Sequence, residues 1–167
     1  MLTRKAFALV NRVFPQHEAQ AHCDIPCGIY DPHAAQVGAL TVLRMVQLID
    51  GMEAPAMDKA ARDKYMHNLA RYTKVKDDHA EIVKHEVRII RGDFFKPDNS
   101  PENLGTLTDG IMKGASKARQ NIDKAAAEEL LDLVNQFAEA FWKAKNVTTK
   151  KQGSHQAVGG EFVVPAD

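Results

Sequence analysis

Residues 122–145 read IDKAAAEELLDLVNQFAEAFWKAK, and Leu130, Val134, Phe137 and Phe141 recur there at spacings of 4, 3 and 4. That spacing puts the four side chains on one face of an α-helix. Glu128 and Glu129 sit early and Lys143 and Lys145 late, so the charges complement the helix dipole at both ends. The segment is therefore predicted as an amphipathic helix with one face to bury.

The same signature repeats toward the N-terminus. Residues 102–120 carry Leu104, Leu107 and Ile111 on one side, weakened as a helix by Gly105, Gly110 and Gly114. Asp98-Asn-Ser-Pro101 reads as a turn, and Phe95-Lys96-Pro97 ends a long segment over 58–94. In that segment Val83, Val87, Ile90 and Phe94 again follow a 4, 3, 4 spacing. Before it, Asp50-Gly51 stops a helix over 33–50 and Glu53-Ala-Pro55 forms a loop. The helix over 33–50 has an apolar face of Val37, Leu40, Val42, Leu43, Val46 and Ile49, and Asp31-Pro32 is its start signal. Four amphipathic helices joined by short loops bury their faces most simply as an all-α, up-and-down four-helix bundle, here spanning 32–146. Residues 147–167 hold Thr-Thr-Lys-Lys-Gln-Gly-Ser-His, a Gly-Gly and the short Glu161–Val164 stretch. They read as a flexible tail, or as an arm that docks on a neighbour.

Composition narrows the function. The 167 residues contain 22 Lys+Arg and 22 Asp+Glu, a formal net charge of +0, which supports neither a nucleic-acid nor a membrane-surface partner. No apolar run approaches the roughly 18 residues of a membrane span. Residues 1–21 differ from the rest: Arg4, Lys5 and Arg12 face one acid, Glu18, around a short apolar patch, Ala6 to Val10. That patch is shorter than the apolar region of about 7–15 residues in a secretory signal, although Ala19-Gln20-Ala21 resembles a small-residue cleavage site. On composition the segment reads as an amphipathic arm, and the chain as cytoplasmic.

Two cysteines are too few for a disulfide scaffold, yet both lie in His22-Cys23-Asp24-Ile25-Pro26-Cys27-Gly28-Ile29-Tyr30. Several readings are open for such a pair: a strained local disulfide, two idle thiols, half of a zinc site completed by His67, His79 or His85, or a site for a late transition metal suited to thiolate and imidazole.

The run H-C-D-x-P-C-G-x-Y resembles the hook of the nickel-containing superoxide dismutases, and every fixed position is present. Asp31-Pro32, Lys84-His85, Asp93-Phe94-Phe95-Lys96-Pro97 and Phe141-Trp142 extend the likeness from His22 to Asn146. The resemblance implies an N-terminal metal-binding hook over 22–31, one nickel ion per subunit, and removal of a pro-segment, 1–21, by a maturation protease cutting between Ala21 and His22. It implies that the freed His22 amine, the Cys23 amide and the Cys23 and Cys27 thiolates hold nickel in a square plane, with the His22 imidazole axial in the oxidised state. Such anionic donors bring the Ni(II)/Ni(III) couple within reach of superoxide as both reductant and oxidant. Pro26 and Gly28 would shape the turn. Tyr30 would guard the open face of the metal, or else simply anchor the hook. Asp24 would brace the hook and Lys96 would draw the anion in. The resemblance also implies a homohexamer. Three positions depart from the family pattern: Phe94 replaces a tyrosine, and Gly38 and His79 stand where a glutamate and an arginine support the axial imidazole, so His79 or water would hold His22 here. His85 reads as a buried, hydrogen-bonded helix residue. A nickel or zinc carrier using the same hook without turnover, or an uncleaved precursor awaiting metal, are the competing expectations.

Overall fold

A computed structural model describes residues 28–166. The chain forms α1 (His33–Asp50), α2 (Lys59–Ile89), a π-helical turn (Ile90–Phe94), α3 (Leu104–Gln120), α4 (Lys124–Ala144) and two short strands, β1 (Thr149–Gly153) and β2 (Glu161–Pro165). Helix α1 packs on α2 and α4, and α3 packs on the same two helices, which closes the up-and-down bundle expected from the apolar stripes.

Local chemistry sets the helix ends. The Asp31 carboxylate accepts the His33 N–H at 2.7 Å, and Asp58 and Asp123 accept the N–H groups of Ala61 and Ala126 at 2.9 and 3.0 Å. At the far end of α1 the Gly51 N–H closes onto the Gln47 carbonyl and the Met52 N–H onto the Ile49 carbonyl. Helix α2 has 31 residues and so runs about 46 Å, longer than any of the other three helices. The predicted stripe Leu130, Val134, Phe137 and Phe141 is buried throughout, as are Val83 and Val87 of α2, Ile90 of the π-helical turn and Leu104, Leu107 and Ile111 of α3, while Phe94 is half-buried. On α1 the expected face is buried except Val37, which is 41% exposed.

Gly38 is a packing residue. A Cβ at this position would lie 3.0 Å from Val83 Cγ2 and 3.2 Å from the backbone oxygen of His79. Only glycine lets α1 approach the α2 backbone this closely, so a glutamate has no room in this chain. The substitution Gly38→Ala is expected to lower stability by about 1–2 kcal/mol, overpacking of about 1–3 kcal/mol being partly offset by about 1 kcal/mol of helix propensity. Urea unfolding measures it; an unchanged midpoint would mean that the two helices separate without strain.

The C-terminal segment corrects the sequence reading. Residues expected to form a mobile tail instead form an antiparallel hairpin, Thr149 opposite Pro165 and Gly153 opposite Glu161. The hairpin docks on its own bundle. Val163 is 2% exposed, and the Phe162 ring meets the His33 ring edge-on at 5.2 Å. A buried polar relay completes the attachment. Gln36 Nε2 donates to Asn135 Oδ1 at 2.8 Å and to the Val163 carbonyl at 3.2 Å, while Asn135 Nδ2 donates to the Glu161 carbonyl at 3.0 Å. Gln47 Nε2 adds a bond to the Val158 carbonyl at 3.1 Å. The segment looked structureless in sequence because β1 is polar and largely exposed; its partners are side chains on α1 and α4 that only the bundle brings together.

Candidate metal centre

The residues expected from the sequence to bind metal precede α1 in the chain. His22, Cys23, Asp24 and Cys27, with the cleavage position Ala21, lie outside the described residues; Gly28, Ile29 and Tyr30 lie within them. Gly28 has φ +75°, a left-handed conformation that fits glycine at a turn following Cys27. Two residues later the Tyr30 ring is buried in the core, 9% exposed.

Tyr30 enters an aromatic cluster. Its ring centroid lies 6.1 Å from that of Phe94, which lies 4.5 Å from Phe141 and 5.0 Å from Phe95. Phe141 continues to Trp142 at 5.0 Å, and Phe95 to Phe137 at 5.8 Å. The π-helical turn makes this convergence possible. Its closing bond, Phe95 N–H to the Ile90 carbonyl at 3.3 Å, spans five residues instead of four. The extra residue lets the adjacent Phe94 and Phe95 both meet rings of α4. Phe94 thus fills with a ring the place where the family pattern has a tyrosine, and it packs directly on Tyr30.

The remaining predicted positions divide. Lys96 is exposed on the turn just past the cluster, where its N–H donates to Asn99 Oδ1 at 2.6 Å and its carbonyl accepts from the N–H groups of Asn99 and Ser100. Its backbone is fixed while its ammonium reaches solvent. His79 is half-buried, its Nδ1 bonded to the Val75 carbonyl one turn back at 2.8 Å. His85, expected to be buried and hydrogen-bonded, is exposed on α2: the sequence stripe marks Val83 and Val87 as inward, and position 85 falls on the other side. Lys145 escaped the sequence reading as a cluster member; its ammonium stands 5.3 Å from the Phe141 centroid and 5.8 Å from that of Trp142. Its sequence signal, a lysine at a helix C-terminus, is no different from that of a dipole-compensating charge.

Among the described residues no group of three or more His, Cys, Asp or Glu side chains is placed to hold a metal ion. Both cysteines precede this region, clustered with His22 in the hook sequence. Two thiols and an imidazole within six residues are a soft donor set that fits nickel, and a left-handed glycine followed by a buried ring tethers them to the bundle.

Comparison with known proteins decides the family. The family model for nickel-containing superoxide dismutase matches residues 17–145. The chain belongs to this family. The nickel superoxide dismutases of Streptomyces seoulensis and Streptomyces coelicolor are each 33% identical to it over 141 residues, 82% of this chain and 98% of theirs. A solved nickel-containing superoxide dismutase with nickel ligation corresponding to the oxidised state superposes with a TM-score of 0.65 at 31% identity, covering 75% of this chain and 99% of that one. A native nickel superoxide dismutase superposes with a TM-score of 0.63 at 32% identity, covering 74% and 99%. This nickel superoxide dismutase is an oxidoreductase that converts superoxide to dioxygen and hydrogen peroxide, and nickel is its cofactor. Its β1–β2 hairpin lies beyond the family match, which ends at residue 145. Among the described residues no helix is long and apolar enough to cross a membrane.

Proposed function

We propose that nickel in this superoxide dismutase is held by the segment His22 to Cys27, once residues 1–21 have been removed between Ala21 and His22. The observation that carries the reading is the order of residues: a clustered His, Cys and Cys donor set, a glycine at φ +75°, then a tyrosine buried in the bundle. The holding groups would be the freed α-amine and imidazole of His22, the amide of Cys23 and the thiolates of Cys23 and Cys27. When bound, nickel supplies the Ni(II)/Ni(III) couple needed to oxidise one superoxide and reduce another.

The chain's own residues supply the rest. Tyr30 follows the hook in sequence, its phenolic ring buried in the core beside Phe94. In this reading that hydroxyl orders water or superoxide at the open face. Asp24 braces the hook by accepting backbone N–H bonds. Lys96, exposed beyond the cluster, contributes positive potential that attracts an anionic substrate to a chain of zero formal net charge. Two superoxide ions and two protons leave as dioxygen and hydrogen peroxide, so each turnover needs a proton supply, and an ordered hydroxyl at the hook suits that task.

We further propose a homohexamer, a maturation protease as partner, and the cytoplasm as the compartment. Support for subunit contact comes from Ile29, 77% exposed beside Tyr30, with Val37 and Ile82 at 41% and 39%. The short apolar patch Ala6–Val10 supports the compartment.

The deciding experiment compares the chain beginning at His22 with the full-length chain, both loaded with nickel. Activity confined to the trimmed form, with one nickel per chain, is expected. Equal activity in both would remove the α-amine from the ligand set. Nickel bound without turnover in either would turn the hook into a carrier site. Light scattering on the same samples reads the oligomeric state.

A further inference from the structure

Between α2 and α3 lies an open cavity of ≈ 660 Å³. Five cationic side chains line it, Lys84 and Arg88 from α2, Arg91 from the π-helical turn, and Lys113 and Lys117 from α3, against the single carboxylate of Asp109. The whole chain has no net charge, so this is a local concentration and not a general excess. Two of the five are already engaged: Arg88 pairs with Glu81 at 3.0 Å, and Lys117 lies 4.0 Å from Asp123. Lys84, Arg91 and Lys113 make no ion pair among the described residues.

The opposing helix holds two of these three in place. Lys84 Nζ donates to Ser116 Oγ at 2.7 Å, and that hydroxyl donates on to the Met112 carbonyl at 3.0 Å. Arg91 Nε donates to Thr108 Oγ1 at 3.2 Å. Each cation spends one donor on α3 and keeps the others, two on the ammonium and four on the guanidinium. Side chains fixed before binding lose less rotamer freedom when a ligand arrives. Seven residues separate Lys84 from Arg91, about 10 Å along the helix axis, with Arg88 between them. Val87 and Met112 add apolar lining. A strip of positive charge that long matches a linear anion with repeated charges better than it matches a single small anion.

We propose that the α2–α3 cavity binds a linear oligophosphate, free or carried by a nucleotide, anchored by Lys84, Arg91 and Lys113. Phosphate oxygens accept the charge-assisted bonds that these donors offer, and the volume falls in the range of about 300–1,000 Å³ typical of small-ligand sites. None of the lining residues belongs to the Tyr30 aromatic cluster.

The test titrates the full chain with inorganic tripolyphosphate, with ATP and with orthophosphate, followed by calorimetry and by the Met112 methyl resonance. Nickel content is measured before and after, because these anions chelate metals. Saturable one-to-one binding of tripolyphosphate is expected, weakened about tenfold or more in the double variant Lys84→Gln, Arg91→Gln. It should also weaken as salt rises. Lys124→Gln, whose lysine pairs with Glu128 on α4, should bind as the unaltered chain does. Tighter binding of ATP than of tripolyphosphate assigns the site to a nucleotide; equal or weaker binding assigns it to the free oligophosphate. No saturable binding, or an equal loss in Lys124→Gln, overturns the proposal. Should the double variant lose its helical signal, Lys113→Gln carries the test, since Lys113 makes no hydrogen bond or ion pair among the described residues and its loss should still weaken binding several-fold.

Discussion

Replacing Cys27 by serine, or Cys23 by serine, should abolish dismutation in the chain trimmed to His22 while leaving the bundle folded. A serine hydroxyl keeps the size of the side chain but offers no thiolate at neutral pH, and thiolate donation is what brings the higher nickel oxidation state within reach. A loss of about 10³-fold or more is expected, equivalent to about 4 kcal/mol of barrier. Stability should hardly change, because the buried core is built from Tyr30 onward and is shared among all four helices. Nickel content, activity and thermal unfolding measured on one preparation separate the outcomes. Full activity in either serine variant would exclude that thiol from the ligand set. A collapse of Tm in parallel with activity would point instead to a structural role for the hook.

The second large effect concerns folding. Lys76→Met should destabilise the protein by about 2–4 kcal/mol, lowering Tm by about 5–15 °C for a domain of this size. Lys76 is 1% exposed, among the largest fully buried side chains, and its ammonium donates to three acceptors. One is Asp77 Oδ1 at 3.0 Å; the others are the carbonyls of Ala118 and Arg119, the latter at 2.8 Å. Those carbonyls belong to the last turn of α3, where no further N–H of the helix is available. The Lys117 carbonyl is served separately by the N–H and Nδ2 of Asn121. Lys76 therefore caps the C-terminus of α3 from a different helix and places a cation at the negative end of its dipole. Methionine would keep most of the packing while stranding the carbonyls, so the loss measures the cap itself. Arginine should recover part of it. A methionine variant as stable as the parent chain would mean that water replaces the ammonium.

Local pattern made the helices legible. The α4 stripe is buried throughout, the stripe of the second segment is buried at Val83, Val87 and Ile90 with Phe94 half-buried, and Asp31 marks a helix start as expected. Val37 and His85 mark the limit of that method: a periodic face gives a direction, but how far a neighbouring helix covers it is set by the packing. The C-terminal hairpin was invisible for a different reason. Its anchors Gln36 and Asn135 are polar residues on α1 and α4, and nothing in their sequence neighbourhoods marks them for burial until the helices adjoin. Likewise the ring sequence Phe94-Phe95 does not announce a π-helical turn; the insertion matters because rings on α4 are there to receive both side chains.

By itself the sequence determined the helical bundle and the family, because periodicity, caps and a nine-residue motif are properties of neighbours along the chain. Tertiary structure alone decided that Tyr30 is clamped by Phe94, that Gly38 is a point of helix contact, that Lys76 caps a distant helix and that five cations share one cavity. Each of these joins residues far apart in sequence, where burial and hydrogen bonding depend on which surfaces meet.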